Sequence, residues 1–475
     1  MKLTHESLEV ILKTSVPGCQ SLVSFERLSG GASQETYRIT VETSAGTELL
    51  AMRRAVGGTF RADKPADPQL RQPGLDIEAA LMKAAVGHGV PAPKVHHILT
   101  RDDGIGDGFI MEWLEGEALG THIVRNEEYA QLRPRLAYEC GKAIARIHAI
   151  DVNRPELKGR LGHTSPTDFI QQTWQRYKDI GVPQPMLDYV GRWLLINVDQ
   201  DFTPTLVHND FRNGNFMVDQ HEIIGVLDWE LAHIGDPMRD LGWICTNAWR
   251  FGSDLPVGGF GQYKDLFRGY EEISGQTVDP EKVRFWEVFG CFWWSVTCMT
   301  MAEMHRAGPD PSVERAMIGR RASEGQIDCV DLLIPGDLPN TLVSPEAAAH
   351  GNLDLPRADE LLTATEKFLR DDALGATQGR TNFLTRVSAN VLGLIRREQQ
   401  LLPAYRDYEQ QSLTSLLQTD TDLESLRWQL IEQLRGNSPQ LTDLNLQAHL
   451  RHCAAFQIAI DNPRYSGFRS LQASP

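Results

Sequence analysis

The sequence predicts an α+β fold: a small antiparallel sheet, a mostly helical region and then a separate all-α domain. Three observations support this. Short runs of β-prone residues recur before position 117, and helical spacing of apolar residues dominates from Tyr129 onward. A segment rich in Pro, Gly and Ala, residues 333–356, has no period and is typical of a linker. We therefore predict a first domain at 1–332, a linker at 333–356 and a helical domain at 357–475.

Composition excludes several classes of function. The chain has 475 residues and a formal net charge of −16, so we expect no nucleic-acid surface, which needs clustered Lys and Arg. The first residues lack the apolar core of a signal peptide. The most apolar run, residues 288–302, is short for a membrane span and indicates a buried helix, so we expect no membrane insertion. Seven cysteines without a Cys-x-x-Cys pair predict a reducing, cytoplasmic setting without disulfides or zinc.

A turn of small residues separates the first two predicted strands, residues 22–28 and 36–41. The turn contains Gly30, Gly31 and Ser33. Between antiparallel strands such a turn lets backbone N–H groups approach phosphate oxygens, and a serine hydroxyl adds a contact. Hairpins with paired glycines are also common without any ligand. The turn is therefore a candidate phosphate-binding loop whose assignment depends on the rest of the chain.

A loop rich in Asn and Gly carries the strongest chemical signal. Residues 208–215 read HNDFRNGN and place the carboxylate of Asp210 five positions before the carboxamide of Asn215. Two apolar runs then predict a hairpin that ends at Asp228. Phosphoryl transfer needs one carboxylate to orient the attacking hydroxyl, and a carboxamide with a second carboxylate to hold Mg²⁺ against the phosphates. Asp210 fits the first role, and Asn215 and Asp228 fit the second.

A predicted helix follows the second carboxylate closely. Asp236 and Pro237 are typical of a helix N-terminus. Asp240 lies one turn into that helix, from where its carboxylate could reach back to orient the catalytic loop. Asp, Asn and Gly are each ordinary loop residues when taken singly, so the prediction depends on their order and spacing.

In combination these residues resemble the catalytic core of the aminoglycoside phosphotransferase and choline kinase-like superfamily, over roughly residues 20–330. Members of that superfamily share the protein kinase fold and phosphorylate small molecules. The resemblance implies two lobes, a small antiparallel-sheet N-lobe at about 20–116 and a mostly helical C-lobe at about 117–332. It implies ATP and Mg²⁺ as cofactors and a small hydroxylated substrate. Arg212, within the loop, is a further candidate catalytic residue.

The resemblance also implies a nucleotide site in the N-lobe. The strand at 48–54 lies where kinases carry a phosphate-binding lysine, and here it offers Arg53 or Arg54. Strand alternation puts Ala51 and Arg53 on one face, and arginine can contact phosphate through two N–H groups. Glu78, on a helix predicted at 76–86, is either the partner of this arginine or a surface carboxylate. The hinge that would bind the adenine edge corresponds to Glu112, Trp113 and Leu114.

The acceptor cannot be derived from the residues alone. Segments 51–54, 228–231 and 235–243 look closest to kinase domains fused to acyl-CoA dehydrogenase-like domains, which act on hydroxyacyl-CoA thioesters. This resemblance favours a hydroxyacyl-CoA or a hydroxy acid over an aminoglycoside or choline. Aromatic residues near Arg239 and Arg250 would suit an acyl thioester, but they equally suit a core.

Two other functions remain as alternatives. A catalytically weak or inactive pseudokinase that acts through partner binding is compatible with the arginine at the lysine position and with Asn209 after His208. A protein kinase fits less well, because the short spacing from Asp228 to Gly235 leaves no room for a peptide-docking segment.

The last part of the chain predicts helices without chemistry. Apolar residues after position 356 follow i, i+3, i+4 spacing and indicate four or five helices. The segment resembles an uncharacterised helical domain that accompanies some phosphotransferases, and it leaves oligomerisation through this domain open.

Overall fold

The computed structural model describes residues 3–28, 34–60, 73–308, 312–338 and 356–473. The predicted phosphate-binding turn, with Gly30, Gly31 and Ser33, lies outside the described residues, as does most of the predicted linker. The contacts between residues divide the chain into two compact units. Unit 1 comprises Met1–Pro166 and Asp199–Trp286, and unit 2 comprises Thr167–Val198 and Glu287–Pro475.

The described part of the chain alternates strands and helices in unit 1 and is helical in unit 2. The strands are β1 Cys19–Arg27, β2 Gln34–Thr43, β3 Gly46–Ala55, β4 Val95–Ile98, β5 Gly108–Glu112, β6 Thr205–Val207, β7 Phe216–Val218, β8 Ile223–Val226 and β9 His233–Gly235. The helices are α1 His5–Ser15, α2 Leu75–Gly87, α3 Gly120–Arg125, α4 Arg133–His148, α5 Pro166–Ile180, α6 Pro185–Asn197, α7 Met238–Cys245, α8 Tyr263–Ser274, α9 Pro280–Ala307, α10 Val313–Arg320, α11 Ala322–Leu333, α12 Ala358–Phe368, α13 Leu374–Ala376, α14 Gly379–Leu417, α15 Leu423–Arg435, α16 Leu444–Asp461 and α17 Ser466–Ala473.

Unit 1 begins with a five-stranded antiparallel sheet in the order β1-β2-β3-β5-β4. Burial alternates along β2, and its buried residues include Ile39 and Val41. These two side chains pack in the same core as Leu8 and Leu12 of α1. This period of two is the pattern of a strand with one covered face. It also places Arg53 and Arg54, which are consecutive in β3, on opposite faces of the sheet. The predicted sheet-first, helix-later α+β order is confirmed.

The helical part of unit 1 carries two short antiparallel pairs, β6 with β9 and β7 with β8. The turn between β6 and β7 is the predicted catalytic loop. Helices α4 and α8 pack at close range because glycines face the opposing backbone. A Cβ at Gly141 would lie 2.1 Å from the Leu266 carbonyl oxygen, and one at Gly269 would lie 2.0 Å from that of Tyr138. Larger side chains there would force the two helices apart.

Unit 2 is a helical assembly that includes α5 and α6 together with the helices after Trp286. The buried carboxylate of Asp188 on α6 accepts hydrogen bonds from Trp174 and Tyr177 of α5 and from Arg435 of α15. Arg192 of α6 donates to the carbonyl oxygens of Asn437 and Pro439. These bonds explain why residues 167–198, predicted within the first domain, pack with the C-terminal helices.

The compact units therefore divide the chain at positions other than the predicted bounds of 332 and 357. Those bounds stay a prediction about separable folding. None of the helices in the described ranges is both long enough and apolar enough to cross a membrane. This includes α9, which contains the apolar run at residues 288–302.

Candidate active site

The catalytic loop is fixed by the carboxylate of one buried residue on α7. The backbone N–H groups of His208 and Asn209 donate to Asp240 Oδ2 and Oδ1 at 2.8 and 2.7 Å. Asp240 is fully buried. Asn209 adopts φ 65°, a left-handed conformation that asparagine tolerates better than most residues. The prediction that Asp240 reaches back to orient the loop is confirmed.

A buried histidine completes the support of Asp240. His148, at the end of α4, places Nε2 3.1 Å from Asp240 Oδ2 and Nδ1 3.0 Å from the Tyr270 hydroxyl. Burial by itself would raise the pKa of Asp240, but the hydrogen bond and charge of His148 and the bond from the His208 N–H hold that pKa below its ordinary value. Asp240 is therefore an ionised anchor at neutral pH.

The carboxylate of Asp210 is held from three directions. Trp243 Nε1 and Arg212 Nε donate to Asp210 Oδ1 at 2.7 and 3.0 Å, and Asn215 Nδ2 donates to Oδ2. The side chain is 13 % exposed, so it retains access to a ligand. These donors fix the direction of the carboxylate, as pre-organised sites require. The structure thus brings Asp210, Arg212 and Asn215 together, as the sequence predicts.

Sequence reasoning missed Trp243 as part of this site and treated it as an aromatic residue of a groove or core. It lies three residues after Asp240 on α7, so both side chains leave the same face of the helix. That spacing was the signal that could have identified it. The indole ring is buried, and its N–H finds the partner that a buried tryptophan needs.

Arg212 is positioned by an aromatic ring and by a glycine. Its guanidinium lies 4.1 Å from the ring centroid of Trp249 and donates to the Asn213 carbonyl oxygen at 2.8 Å. Gly214 has φ 103° and a Cβ there would lie 2.6 Å from Arg212 Nη1. Only glycine combines that conformation with space for the guanidinium.

The asparagine after His208 has a structural explanation. Asn209 Oδ1 accepts a hydrogen bond of 2.9 Å from Nε of the buried Arg239. The Arg239 guanidinium also lies 4.6 Å from the ring centroid of Trp243. Burial lowers the pKa of Arg239 to about 10, while Asp240 and Asp210 raise it. Asn209 therefore links α7 to the catalytic loop through this hydrogen bond.

The second carboxylate lies at the end of the hairpin. Asp228 follows β8 with φ 64° and ψ 62°, and the Leu227 N–H donates to the Asn215 carbonyl oxygen at 2.7 Å. This bond holds the backbone of Asn215 beside the residue that precedes Asp228. Within the described residues the two side chains make no hydrogen bond to each other. Asp228 is 32 % exposed, and its Oδ1 accepts from Arg53 Nη2 at 3.0 Å.

The oxygen atoms of Asn215 and Asp228 suit a magnesium ion. Because Asn215 Nδ2 donates to Asp210, the amide oxygen is the end that is left to face a ligand. Asp228 offers Oδ2, since Oδ1 faces Arg53. Mg²⁺ prefers oxygen ligands and is commonly held by one or two side chains together with substrate phosphates. The donor set therefore fits this ion.

A buried ion pair connects the sheet to α2 and to Asp228. Arg53 Nη1 lies 3.4 Å from Glu78 Oε2, and Glu78 is 1 % exposed. Gln34 Nε2 donates to Glu78 Oε1 at 3.1 Å. Burial raises the pKa of Glu78 to about 7, although Arg53 and Gln34 act in the opposite direction. Glu78 is thus the partner of the strand arginine rather than a surface carboxylate.

The neighbouring arginine has a different environment. Arg54 is buried, and its Nε and Nη2 both lie 3.1 Å from Glu35 Oε2. Glu35 also accepts from Tyr37 and from the Gly57 N–H. Arg54 is therefore committed to a structural pair, whereas Arg53 faces Asp228. Of the two arginines left open by the sequence, Arg53 is the one beside the candidate metal ligand.

The predicted hinge follows β5. The N–H groups of Glu112 and Trp113 donate to the carbonyl oxygens of Lys94 and Leu49 at 2.9 and 3.3 Å, so both are used by the sheet. In the described part of the chain the Leu114 N–H has no such backbone partner. A Cβ at Gly225 of β8 would lie 2.4 Å from Leu114 Cδ1, so the leucine packs directly over that strand. Of the three hinge N–H groups, that of Leu114 remains for a ligand.

Comparison with family models matches two parts of the chain. The model described as the phosphotransferase enzyme family matches residues 24–286. A second model, described as a domain of unknown function (DUF6285), matches residues 375–465. The second match lies within unit 2 and within the helical domain predicted at 357–475.

The curated relatives are longer proteins. The mouse protein named acyl-CoA dehydrogenase family member 10 is 28 % identical over 268 residues, which is 54 % of this chain and 23 % of that protein. The human protein named acyl-CoA dehydrogenase family member 11 is 25 % identical over 250 residues, which is 50 % of this chain and 30 % of that protein. The chain thus matches less than a third of the length of these relatives. The predicted likeness to kinase domains of that group is confirmed.

Solved structures confirm the predicted kinase-like fold. A crystal structure from Ralstonia eutropha, assigned to the aminoglycoside phosphotransferases, superposes with a TM-score of 0.55 and 22 % identity. The superposition covers 68 % of this chain and 96 % of that one. At this identity the likeness supports the fold alone.

Proposed function

The chain belongs to the phosphotransferase enzyme family, and from this premise we propose that it transfers the γ-phosphoryl group of ATP to a hydroxyl group of a small molecule. The observation that carries the proposal is the arrangement around Asp210. Its carboxylate is held by Trp243, Arg212 and Asn215, and its loop is anchored to buried Asp240. Such an arrangement orients a hydrogen-bond acceptor toward one place.

The roles of the individual residues follow from the contacts that they make. Asp210 accepts the hydrogen bond of the acceptor hydroxyl and thereby orients its oxygen for attack. Arg212, which is ion-paired with Asp210, holds that carboxylate in position. Arg53, held by Glu78, supplies a fixed cation for phosphate oxygens. Asn215 and Asp228 would hold Mg²⁺, which when bound neutralises charge on the phosphates.

The nucleotide would lie along the hinge. The Leu114 N–H is the candidate donor to the adenine edge, with Glu112 and Trp113 forming the strand end that fixes it. The turn with Gly30, Gly31 and Ser33 is proposed to cover the phosphates, on the basis of its sequence alone.

For the acceptor we propose a hydroxyacyl-CoA thioester or a related hydroxy acid. The support is that the relatives carry the name acyl-CoA dehydrogenase family members. An acyl-CoA dehydrogenase acts on acyl thioesters. We therefore expect a kinase domain within such a protein to phosphorylate a hydroxylated thioester of the same group. One of the aromatic residues near Arg239 is Trp243, which donates its indole N–H to Asp210. Trp243 is therefore not counted as evidence for a thioester groove.

The test is a screen of acceptors by ATP consumption, with 4-hydroxyacyl-CoA, free hydroxy acids, choline and kanamycin, each with Mg²⁺. Turnover with the thioester or hydroxy acid, lost in Asp210→Asn, is the expected result. Turnover only with kanamycin or choline would overturn the acceptor class and leave the reaction type intact. Nucleotide binding without turnover on any acceptor would favour the pseudokinase alternative.

We further propose that the helical segment after the linker at 333–356 is separable from the kinase domain. Limited proteolysis is the test. A first cut within 333–356 is expected, while a first cut inside residues 73–308 would indicate one fused folding unit.

A further inference from the structure

Unit 2 contains a cavity of about 790 Å³ that is lined by residues of α10, α11, α12, α14 and the end of α16. Its volume falls in the range of roughly 300–1,000 Å³ that is usual for small-molecule sites. The charged residues that line it are six arginines and three carboxylates. The arginines are Arg320, Arg321, Arg370, Arg396, Arg397 and Arg464. In a chain of net charge −16 this excess of cations is a local exception.

Two of the arginines are neutralised by carboxylates and hold helices together. Arg320 Nη2 lies 2.7 Å from Asp461 Oδ1, and its Nη1 lies 3.3 Å from Glu398. Arg321 lies 3.0 Å from Glu324. Because each of these two guanidinium groups already faces a carboxylate, neither needs a ligand to offset its charge.

The remaining charged residues of the lining include more arginines than carboxylates. Glu366 serves two cations at once, because Arg370 and Arg396 lie 2.9 and 3.5 Å from its carboxylate. One carboxylate can neutralise only one of these two guanidinium groups. The excess therefore lies along α14 and the turn after α12.

Arg397 adds a further cation, which has no ion pair with a carboxylate among the described residues. Its Nε and Nη2 donate to the carbonyl oxygens of Ile460 and Asp461 at 2.7 and 3.2 Å. These carbonyl groups, at the end of α16, orient the guanidinium but do not cancel its charge. Burial lowers the pKa of Arg397, as do nearby Arg396 and Arg464, whereas the negative charges of Asp461 and Glu366 raise it. Across the described ranges Arg464 itself has no ion pair.

Two features of the backbone shape the lining of the cavity. A Cβ at Gly393 would lie 3.3 Å from both carboxylate oxygens of Glu366 and 3.4 Å from Arg397 Nη1, so glycine lets α14 approach these charged groups. The segment Leu369–Ala373 forms a π-helical turn that carries Arg370. Single π-helical turns are frequent at functional sites.

We propose that this cavity binds a small anion that carries a diphosphate group, such as a nucleoside diphosphate or coenzyme A. Arginine presents a planar fork of donors that matches phosphate oxygens in pairs. A diphosphate offers several such oxygens and enough charge to offset cations contributed by the turn after α12, by α14 and by the segment after α16. A single carboxylate would leave most of these cations without a partner. This site is separate from the proposed phosphoryl transfer and does not depend on it.

Isothermal titration of the full chain with inorganic pyrophosphate, ADP and coenzyme A tests the proposal. EDTA is included so that metal-dependent nucleotide binding at Asp228 does not contribute. The binding variant is Arg370→Gln with Arg464→Gln, since both side chains are exposed. The matched control is Arg386→Gln, an exposed arginine of α14 that lies outside the cavity lining.

We expect pyrophosphate to bind the wild-type chain, and the double variant to lose at least about tenfold in affinity, because bonds to charged groups are the strong ones. The control should bind as the wild type does. Tighter binding of coenzyme A than of ADP would identify an acyl carrier as the source, and the reverse would identify a nucleotide. Arg464→Gln alone, which breaks no ion pair, replaces the double variant if the latter unfolds. No binding of any probe at millimolar concentration, or equal affinity in variant and wild type, would overturn the proposal.

Discussion

The catalytic loop and the arginine-lined cavity use charged groups in opposite ways. In the loop every ionic group has a designated partner: Asp240 receives two backbone N–H groups and His148, and Asp210 receives Trp243, Arg212 and Asn215. In the cavity the cations outnumber the carboxylates. The difference teaches that a fully paired network fixes the directions of its side chains, whereas an excess of cations leaves donors that a negatively charged partner could use.

The largest expected effect is on turnover. Asp210→Asn should lower kcat by about 10²- to 10⁴-fold, because the amide is a poor acceptor for the hydroxyl proton. Nucleotide affinity, measured by titration with Mg²⁺, should stay near the wild-type value. The control is Glu222→Gln, an exposed change of the same type in the β7–β8 hairpin. Full turnover in Asp210→Asn with a true substrate would show that the catalytic role lies elsewhere.

The next largest effect is on stability, because the substitution removes the buried carboxylate that anchors the catalytic loop. Asp240→Asn should destabilise the chain by roughly 3–5 kcal/mol, since it leaves buried donors short of a charged partner. The measurement is urea unfolding at neutral pH. Because the folded-state pKa of Asp240 lies below the unfolded value, its stabilisation is complete above that unfolded pKa and is lost as the pH falls through the folded-state pKa. A variant as stable as the wild type would mean that the loop does not depend on this anchor.

A pH-dependent effect is expected at Glu78. Its folded-state pKa of about 7 lies above the ordinary value of 4.5, so the folded chain holds an extra proton between these pH values. Stability should therefore fall as pH rises through this window, by on the order of 3 kcal/mol. Glu78→Gln mimics the protonated form and should gain stability relative to the wild type from pH 5 to 8. Parallel unfolding curves over that range would contradict the assignment.

The smallest effect separates two adjacent arginines. Arg53→Met should weaken binding of Mg²⁺–ATP by about tenfold, because it removes one charged contact to phosphate. Arg54→Met should instead lower the melting temperature and leave the affinity of the folded chain unchanged, since Arg54 pairs with buried Glu35. Thermal shift and nucleotide titration on both variants provide the comparison. Equal losses of affinity in the two variants would show that Arg53 contributes no more than Arg54 to nucleotide binding.

The sequence by itself determined the parts that depend on local order. Asp210, Asn215 and Asp228 were predicted as catalytic and metal-binding residues because a loop, a hairpin and a helix start occur at fixed spacing. Such spacing is set by short-range backbone geometry. The same holds for the alternation that separates Arg53 from Arg54, and for the helical period after residue 356. The likeness to kinase domains of acyl-CoA dehydrogenase family members was also contained in these motifs.

Only the tertiary structure decided which distant groups meet. The sequence did not predict the contact of Trp243 with Asp210, because nothing in a tryptophan's sequence context specifies the partner of its indole N–H. The choice between Arg53 and Arg54 required the position of Glu78 on α2. The packing of α5 and α6 with the C-terminal helices and the arginine-lined cavity depend on residues more than a hundred positions apart. Such contacts form because burial and charge pairing act through space, whereas the periodicity of a sequence reports only the neighbours along the chain.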